Sequence, residues 1–256
     1  MLNKLQIEDF AVLRGSLESG RQSPKVLSRV LILCGIFHPL MMFLIYVVAA
    51  DASAFPFQRE IFYVHIIITI VLVIFSIIFS IKSIYMKFQK FQYLTVILGV
   101  QNIGGISFYL VALFFIGKDV SSVNSLLNLA YVTLFFGLLI FVVTCIRFLI
   151  LLKNGEYRKG SKRDKLRSKT EIEIRSYLPI IIIGSIGLMF ILQYLIRILD
   201  LADIETTIMM VLFFLLFFVM LFVLPEQLVM LYCKYRFESF NFNKNGELKP
   251  MGRKSA

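Results

Sequence analysis

The sequence predicts an all-α integral membrane protein, a six-transmembrane-helix bundle with both termini in the cytoplasm, and three observations carry that prediction. Hydrophobic residues make up 59% of the 256-residue chain against 17% charged, with a mean hydropathy of +0.83. A soluble domain has about 45–50% apolar and about 25% charged residues, and a disordered chain is less apolar still. Six runs are long enough to cross a hydrocarbon core about 30 Å thick, for which about 20 helical residues suffice. The third observation is charge: the chain carries +11 with a pI near 9.6, and its cations alternate between the connections as they do in oriented membrane helices.

The runs are 30–50, 61–81, 94–116, 126–146, 178–199 and 207–224. The first is too long for a signal-peptide core and follows 29 residues that contain charge, so it reads as a genuine span. Turn residues or charges bound the runs: Asp51 ahead of Phe55-Pro56-Phe57, then Gly117-Lys118-Asp119, then Asp200, Asp203 and Glu205. Taking the connections alternately, 24 of the 27 Lys and Arg fall on one side, and only Arg59, Lys118 and Arg197 on the other. Because a cation at mid-bilayer costs at least about 2.5–3.5 kcal/mol and short loops obey the positive-inside rule, the basic side is expected to be cytoplasmic. The expected location is a bacterial plasma membrane. The opposite connections are only about ten, nine and seven residues long, too short to fold as a domain.

Residues 1–29 place Leu2, Leu5, Phe10, Leu13 and Leu17 loosely on one helical side, with Ile7 off the pattern. They are expected to lie as an interfacial helix before Ser23-Pro24 turns the chain into the first span, or else to dock a partner. Span six ends at Leu224-Pro225-Glu226-Gln227 within a 30–225 membrane domain. In the 226–256 tail an apolar and basic stretch is expected to continue as a second interfacial helix, with the residues from Asn241 flexible. Cys34, Cys145 and Cys233 all fall near the basic side and read as small packing residues, since a reducing compartment disfavours disulfides. Trp is absent, so Tyr46, Tyr63, Tyr85, Tyr93, Tyr131, Tyr177, Tyr194 and Tyr232 are expected to form the aromatic belt, with Tyr109 nearer mid-membrane.

The largest connection is the basic link 153–177, polar and mobile in its first part, with 170–175 leading helically into span five. Its Arg158, Lys159, Lys162, Arg163, Lys165, Arg167 and Lys169 suit anionic lipid headgroups or a protein partner. Only Tyr157 is available to stack on a base, so nucleic acid is not expected.

Chemistry inside a membrane needs ionisable groups at matched depth, and these are few. His38 precedes Pro39 in span one, His65 lies in span two, Gln193 in span five, and no Asp or Glu lies deep in any span. Counting 1.5 Å per residue places the two histidines about 12 Å apart in depth, which argues against a shared metal or haem. His38 therefore reads chiefly as a neutral, hydrogen-bonded imidazole beside a proline kink. Span three is the least ordinary: Gln101, Asn102, Gly104, Gly105 and Ser107 bring two amides, two glycines and a hydroxyl to mid-helix. Two readings stay open, a tight contact whose amides bond neighbouring spans, or a short unwinding that lines a polar path. Zinc-protease HExxH, GxSxG and Walker A motifs are missing, and Ser107 lacks the partner histidine of a rhomboid-type protease. Asp200, Asp203 and Glu205 read as a solvated loop rather than a metal site. No cofactor is expected, and no enzymatic activity.

Leu224-Pro225-Glu226-Gln227 followed by MLYCKYRFESFNFNKNGELKP, with the six-span layout, resembles an uncharacterised multi-pass family of Gram-positive bacteria encoded beside type VII secretion genes. The resemblance implies an accessory or immunity role at the plasma membrane and assigns no active residues. The expected function is a non-enzymatic protein working through helix contacts with another membrane protein. The alternative is a small transporter or permease subunit with its path near Gln101 and Ser107.

Overall fold

The structure, a computed structural model, describes residues 5–119, 122–166 and 202–251. All regular structure among them is helical apart from one isolated bridge between Phe242 and Leu248. This is what lipid requires, because a helix satisfies its own backbone N–H and C=O groups where no water can. Five helices are long and apolar enough to cross a membrane. The run 178–199 lies outside the described residues.

The first span is α1, Pro24–Phe43, which widens into π-helical turns over Leu44–Ala49. It begins earlier than its apolar run, because the Ser23 hydroxyl accepts from the Val26 N–H and Pro24 starts the helix with its fixed φ. The second is α2, Gln58–Ser80, joined through the short α3, Lys82–Lys87, to α4, Gln89–Gln101. The third span continues from α4 through a π-helical segment, Asn102–Ser107, into α5, Phe108–Asp119. The fourth is α6, Val123–Lys153, and the last is α7, Ala202–Arg236, which passes Pro225 without ending.

The third span is the axis of the bundle. In its most apolar window 56% of residues are buried, against 6–28% in the other four, so those present most of their apolar surface outward, as lipid-facing helices do. On one flank α1, α2 and α4 form a three-helix group, and on the other α7 packs against α4, α5, α6 and the π-segment. Small residues set the approach: a Cβ added to Gly137 of α6 would stand 2.9 Å from Leu221 of α7, and one on Gly104 3.1 Å from Met220. At the end away from most cations, Gly117 admits no side chain, since its Cβ would lie 2.3 Å from the Ser53 hydroxyl. There the Ala54 N–H donates to the Gly117 carbonyl at 2.7 Å and Lys118 Nζ to the Val48 carbonyl at 2.9 Å.

The opposite end gathers the N-terminal segment, α3, the start of the basic link and the tail, and here the structure departs from the expectation of two interfacial helices. Residues 7–18 form a 3-10 turn, Ile7–Phe10, and a single α-turn, Gly15–Glu18. They wrap inward: Phe10, Leu13 and Leu17 are fully buried against Tyr157 of the link and Phe240 and Phe242 of the tail. After α7 the chain folds back through Glu238–Phe240 and pairs Phe242 with Leu248, which buries Asn241 and Phe242 in the core where a flexible end was expected. The described start of the link is likewise turned, with the Val12 N–H donating to the Tyr157 carbonyl at 2.9 Å and a helical turn at 162–166. The reason is apolar area: three separate segments each hold aromatic residues too few to fold alone, and together they bury one another.

Phe240→Ala should therefore destabilise this cap by about 3–5 kcal/mol, the usual cost of deleting a buried phenyl ring. Limited trypsin digestion reads it out, with cleavage at Arg14 and Arg21 sharply accelerated relative to wild type. Phe135→Ala, at an outward-facing position of α6, should leave the digestion pattern unchanged.

Candidate functional site

The polar residues of the third span sit where α4 passes between the two flanks. Gln101 Nε2 donates to the Met220 carbonyl at 3.0 Å and to Gln227 Oε1 at 3.3 Å, both on α7. Asn102, facing the other way, donates from Nδ2 to Thr69 Oγ1 of α2 at 3.4 Å. Adjacent amides thus bond opposite neighbours and tie the axis to both flanks. The π-segment that begins at Asn102 has one extra residue per turn, which rotates the following side chains and brings Gly104 and Gly105 against Met220. Ser107 is buried at its end.

A polar column continues along α1 and α2. Tyr46 shares a hydrogen bond of 3.1 Å with His65 Nδ1, and Thr69 one turn on donates to Met42 Sδ. Asn102 lies beside both His65 and Thr69. His38 bonds the Cys34 carbonyl through Nδ1 at 2.6 Å. Since a carbonyl only accepts, that nitrogen carries the proton and Nε2 presents a lone pair. His38 meets the third span at Gly99, where an added Cβ would lie 3.6 Å from its Cε1, and His65 meets it at Asn102, so the imidazoles stand about one helical turn apart along that span, closer than the depth difference expected from the sequence. Among the described residues, His38 Nε2, His65 Nε2 and Asn102 Oδ1 are buried without a protein hydrogen-bond partner. No group of three or more His, Cys, Asp or Glu among them could hold a metal ion.

Two cations of the link also make ion pairs within the protein. Arg158 Nε reaches Asp9 at 2.7 Å and Lys159 reaches Glu18 at 3.7 Å, so both hold the N-terminal turns. Arg163 stacks over the Tyr157 ring with its guanidinium carbon 4.8 Å from the centroid. Lys162 is exposed, as is Lys165, and Arg167 and Lys169 lie outside the described residues. Several polar anchors carry no sequence signal of their own. Gln92 donates to the Pro24 and Phe79 carbonyls, binding the starts of α1 and α4 to the end of α2. Gln89 exchanges two hydrogen bonds with the backbone of Phe242, at 2.9 and 2.8 Å. Arg14 donates to the carbonyls of Ser239 and Lys249. Lys234 is 1% exposed, its Nζ donating to the Phe240 carbonyl at 3.1 Å and lying over the rings of Tyr93 and Phe242. At the surface of the cap the Lys249 ammonium, bonded to Glu238, holds that carboxyl below its usual range. Tyr85 and Tyr93 face inward rather than joining an aromatic belt.

Within the described spans the arrangement is built of amides, hydroxyls and imidazoles that join helices. No family model, curated protein or solved structure matches the chain.

Replacing both amides, Gln101→Leu with Asn102→Leu, should lower the stability of the solubilised bundle by about 1–3 kcal/mol, since interhelical hydrogen bonds in membranes are worth about 0.6 kcal/mol each and at most about 1.7. Unfolding in mixed micelles measures it, and an unchanged transition would remove the amides from any structural role.

Proposed function

We propose that this chain is a non-enzymatic, multi-pass plasma-membrane protein that acts through contacts with another membrane protein, as an accessory or immunity factor. The observation that supports it most directly is the use of the polar third span: Gln101 and Asn102 direct their amide donors into the neighbouring helices. A bundle locked in this way is a scaffold, and the surfaces left for recognition include the outward faces of α1, α2, α6 and α7 and the exposed cations of the cap. The resemblance of the tail to the family encoded beside type VII secretion genes supports a role near that machinery. The proposal includes a sixth span within 178–199 and both termini in the cytoplasm, with the cap touching anionic headgroups; the 24-to-3 division of cations supports the orientation.

Gentle solubilisation after in-cell crosslinking should recover one membrane partner in constant ratio, in cells that express the neighbouring genes. Recovery of the chain alone under those conditions counts against the reading. Orientation is tested in a cysteine-free background, where an impermeant thiol reagent should label Ser53→Cys and spare Ser161→Cys in intact cells.

A second reading, a small transporter, is favoured by the three buried unpartnered atoms on His38, His65 and Asn102, because polar groups at membrane depth commonly mark a solute or proton route. Under it, the double leucine variant at Gln101 and Asn102 abolishes flux in proteoliposomes while the protein stays folded.

A further inference from the structure

At the basic end, the elbow between α3 and α4 meets the folded-back tail around a cavity of about 320 Å³. Lys87 and Lys90 of the elbow and Lys249 of the tail line it, with a single carboxylate, Glu238, among them. The Lys249 ammonium is bonded to Glu238, which takes up one of its three N–H donors. Lys90 Nζ lies 5.2 Å from the centre of the Tyr235 ring, and Lys87 Nζ 5.4 Å from that of Phe88. A ring face positions an ammonium and still leaves it donors to give. The Glu238 carboxyl is held below its usual range chiefly by the bond to Lys249, and Lys90 adds to the same field. Positive charge therefore stays in excess in the lining. Two further features belong to the same cavity. The long helix α4 opens in its wall at Gln89, and no side chain caps that end; the first N–H groups of a helix have no partner within it, and its dipole is positive there. Asn241, also in the wall, is 6% exposed. Its amide nitrogen donates to the carbonyls of Lys234 and Phe237, while its Oδ1 has no protein partner.

We propose that this cavity binds a phosphate monoester, its phosphate held by Lys87, Lys90, Lys249 and the opening turn of α4. A monoester carries a charge of about −1.5 to −2 at pH 7 and three strong acceptor oxygens, which matches a lining of three ammoniums and one carboxylate. A carboxylate or a phosphate diester brings a single charge and leaves the excess unmet. Lysine serves phosphate as a point charge, so the three ammoniums need no fixed fork geometry. An uncapped helix start is itself a phosphate site, because its N–H groups and dipole both favour an anion. Asn241 adds an acceptor for a hydroxyl on the phosphate or on its alcohol. A soluble monoester and a lipid headgroup present the same group, and they are separated by experiment. The site uses none of the link cations and does not depend on a membrane-protein partner.

The experiment is native mass spectrometry of the full chain in mild detergent, titrated separately with glycerol 3-phosphate, with phosphatidic acid and with phosphatidylglycerol. Wild type should retain one monoester ligand, and Lys87→Gln with Lys90→Gln should weaken its retention by about tenfold. Lys25→Gln with Lys153→Gln, two cations outside the cavity, should leave it unchanged. Glu238→Gln removes the opposing carboxylate and frees Lys249, so it should strengthen retention by about threefold. A gain of this kind cannot come from misfolding, which keeps the proposal testable if the double lysine variant fails to fold. Retention of glycerol 3-phosphate assigns the site to a soluble monoester, and retention of phosphatidic acid alone assigns it to a lipid headgroup; either supports the proposal. Retention of neither monoester, equal retention of the diester phosphatidylglycerol, unchanged binding in the double lysine variant, or no gain in Glu238→Gln would overturn it.

Discussion

Hydrocarbon supplies no hydrogen-bond partner, so each polar group carried into it must be met by the protein, and in this chain that requirement converges on the third span. Gln101 and Asn102 are neighbours in sequence and point to opposite flanks, so the two halves of the described bundle are joined through one stretch of helix. The π-helical widening after Asn102 belongs to the same solution. It lets glycines meet α7 on one side while the amide bonds α2 on the other. Van der Waals contact at Gly104 and Gly137 supplies the rest of the cohesion, as expected where lipid tails are as apolar as leucine and no hydrophobic force pulls helices together.

At the basic end the physics is that of a small soluble protein. Phe10, Tyr157, Phe240 and Phe242 come from three distant segments and share one apolar core. Several cations are structural here. Arg14 holds the tail through its carbonyls, Arg158 and Lys159 hold the N-terminal turns, and Lys234 is enclosed by aromatic rings. Arginine serves in different settings here: Arg147 and Arg163 line a surface pocket beside Phe148, Phe222 and Val223, whereas Arg14 is buried beneath the tail.

How much of this was legible in the sequence differs sharply between the two regions. The five long helices of the described residues were, because a run of apolar residues near the length of a bilayer has one stable conformation in lipid. Their ends were less so: α6 continues to Lys153 and α7 passes Pro225 to Arg236, since a helix that leaves the hydrocarbon need not stop there. The interest of Gln101, Asn102 and Ser107 was visible from their setting in an apolar run, but their partners were not, because Thr69, Met220 and Gln227 carry no mark of their role. The cap was misread for the same reason. Leu2, Leu5, Phe10, Leu13 and Leu17 look like one face of a helix, and the aromatic residues that make a turn conformation preferable lie far along the chain, Tyr157 at 147 positions from Phe10 and Phe240 at 230. The periodicity of Phe10 and Leu13 was real, yet it reports burial, which a 3-10 turn under a tail satisfies as well as a helix under lipid does.

The hydrogen bond from Arg14 to the Ser239 carbonyl joins residues 225 positions apart, and this sets an order of events during biosynthesis. At roughly 5–20 residues per second, the N-terminal segment waits on the order of ten to forty-five seconds before its counterpart leaves the ribosome. Throughout that interval Phe10, Leu13 and Leu17 have no finished core to enter, while the spans are being inserted one after another. Closure of the cap through this contact therefore cannot precede synthesis as far as residue 239. A nascent protein truncated before residue 239 would expose the same three side chains that a quality-control protease or chaperone recognises.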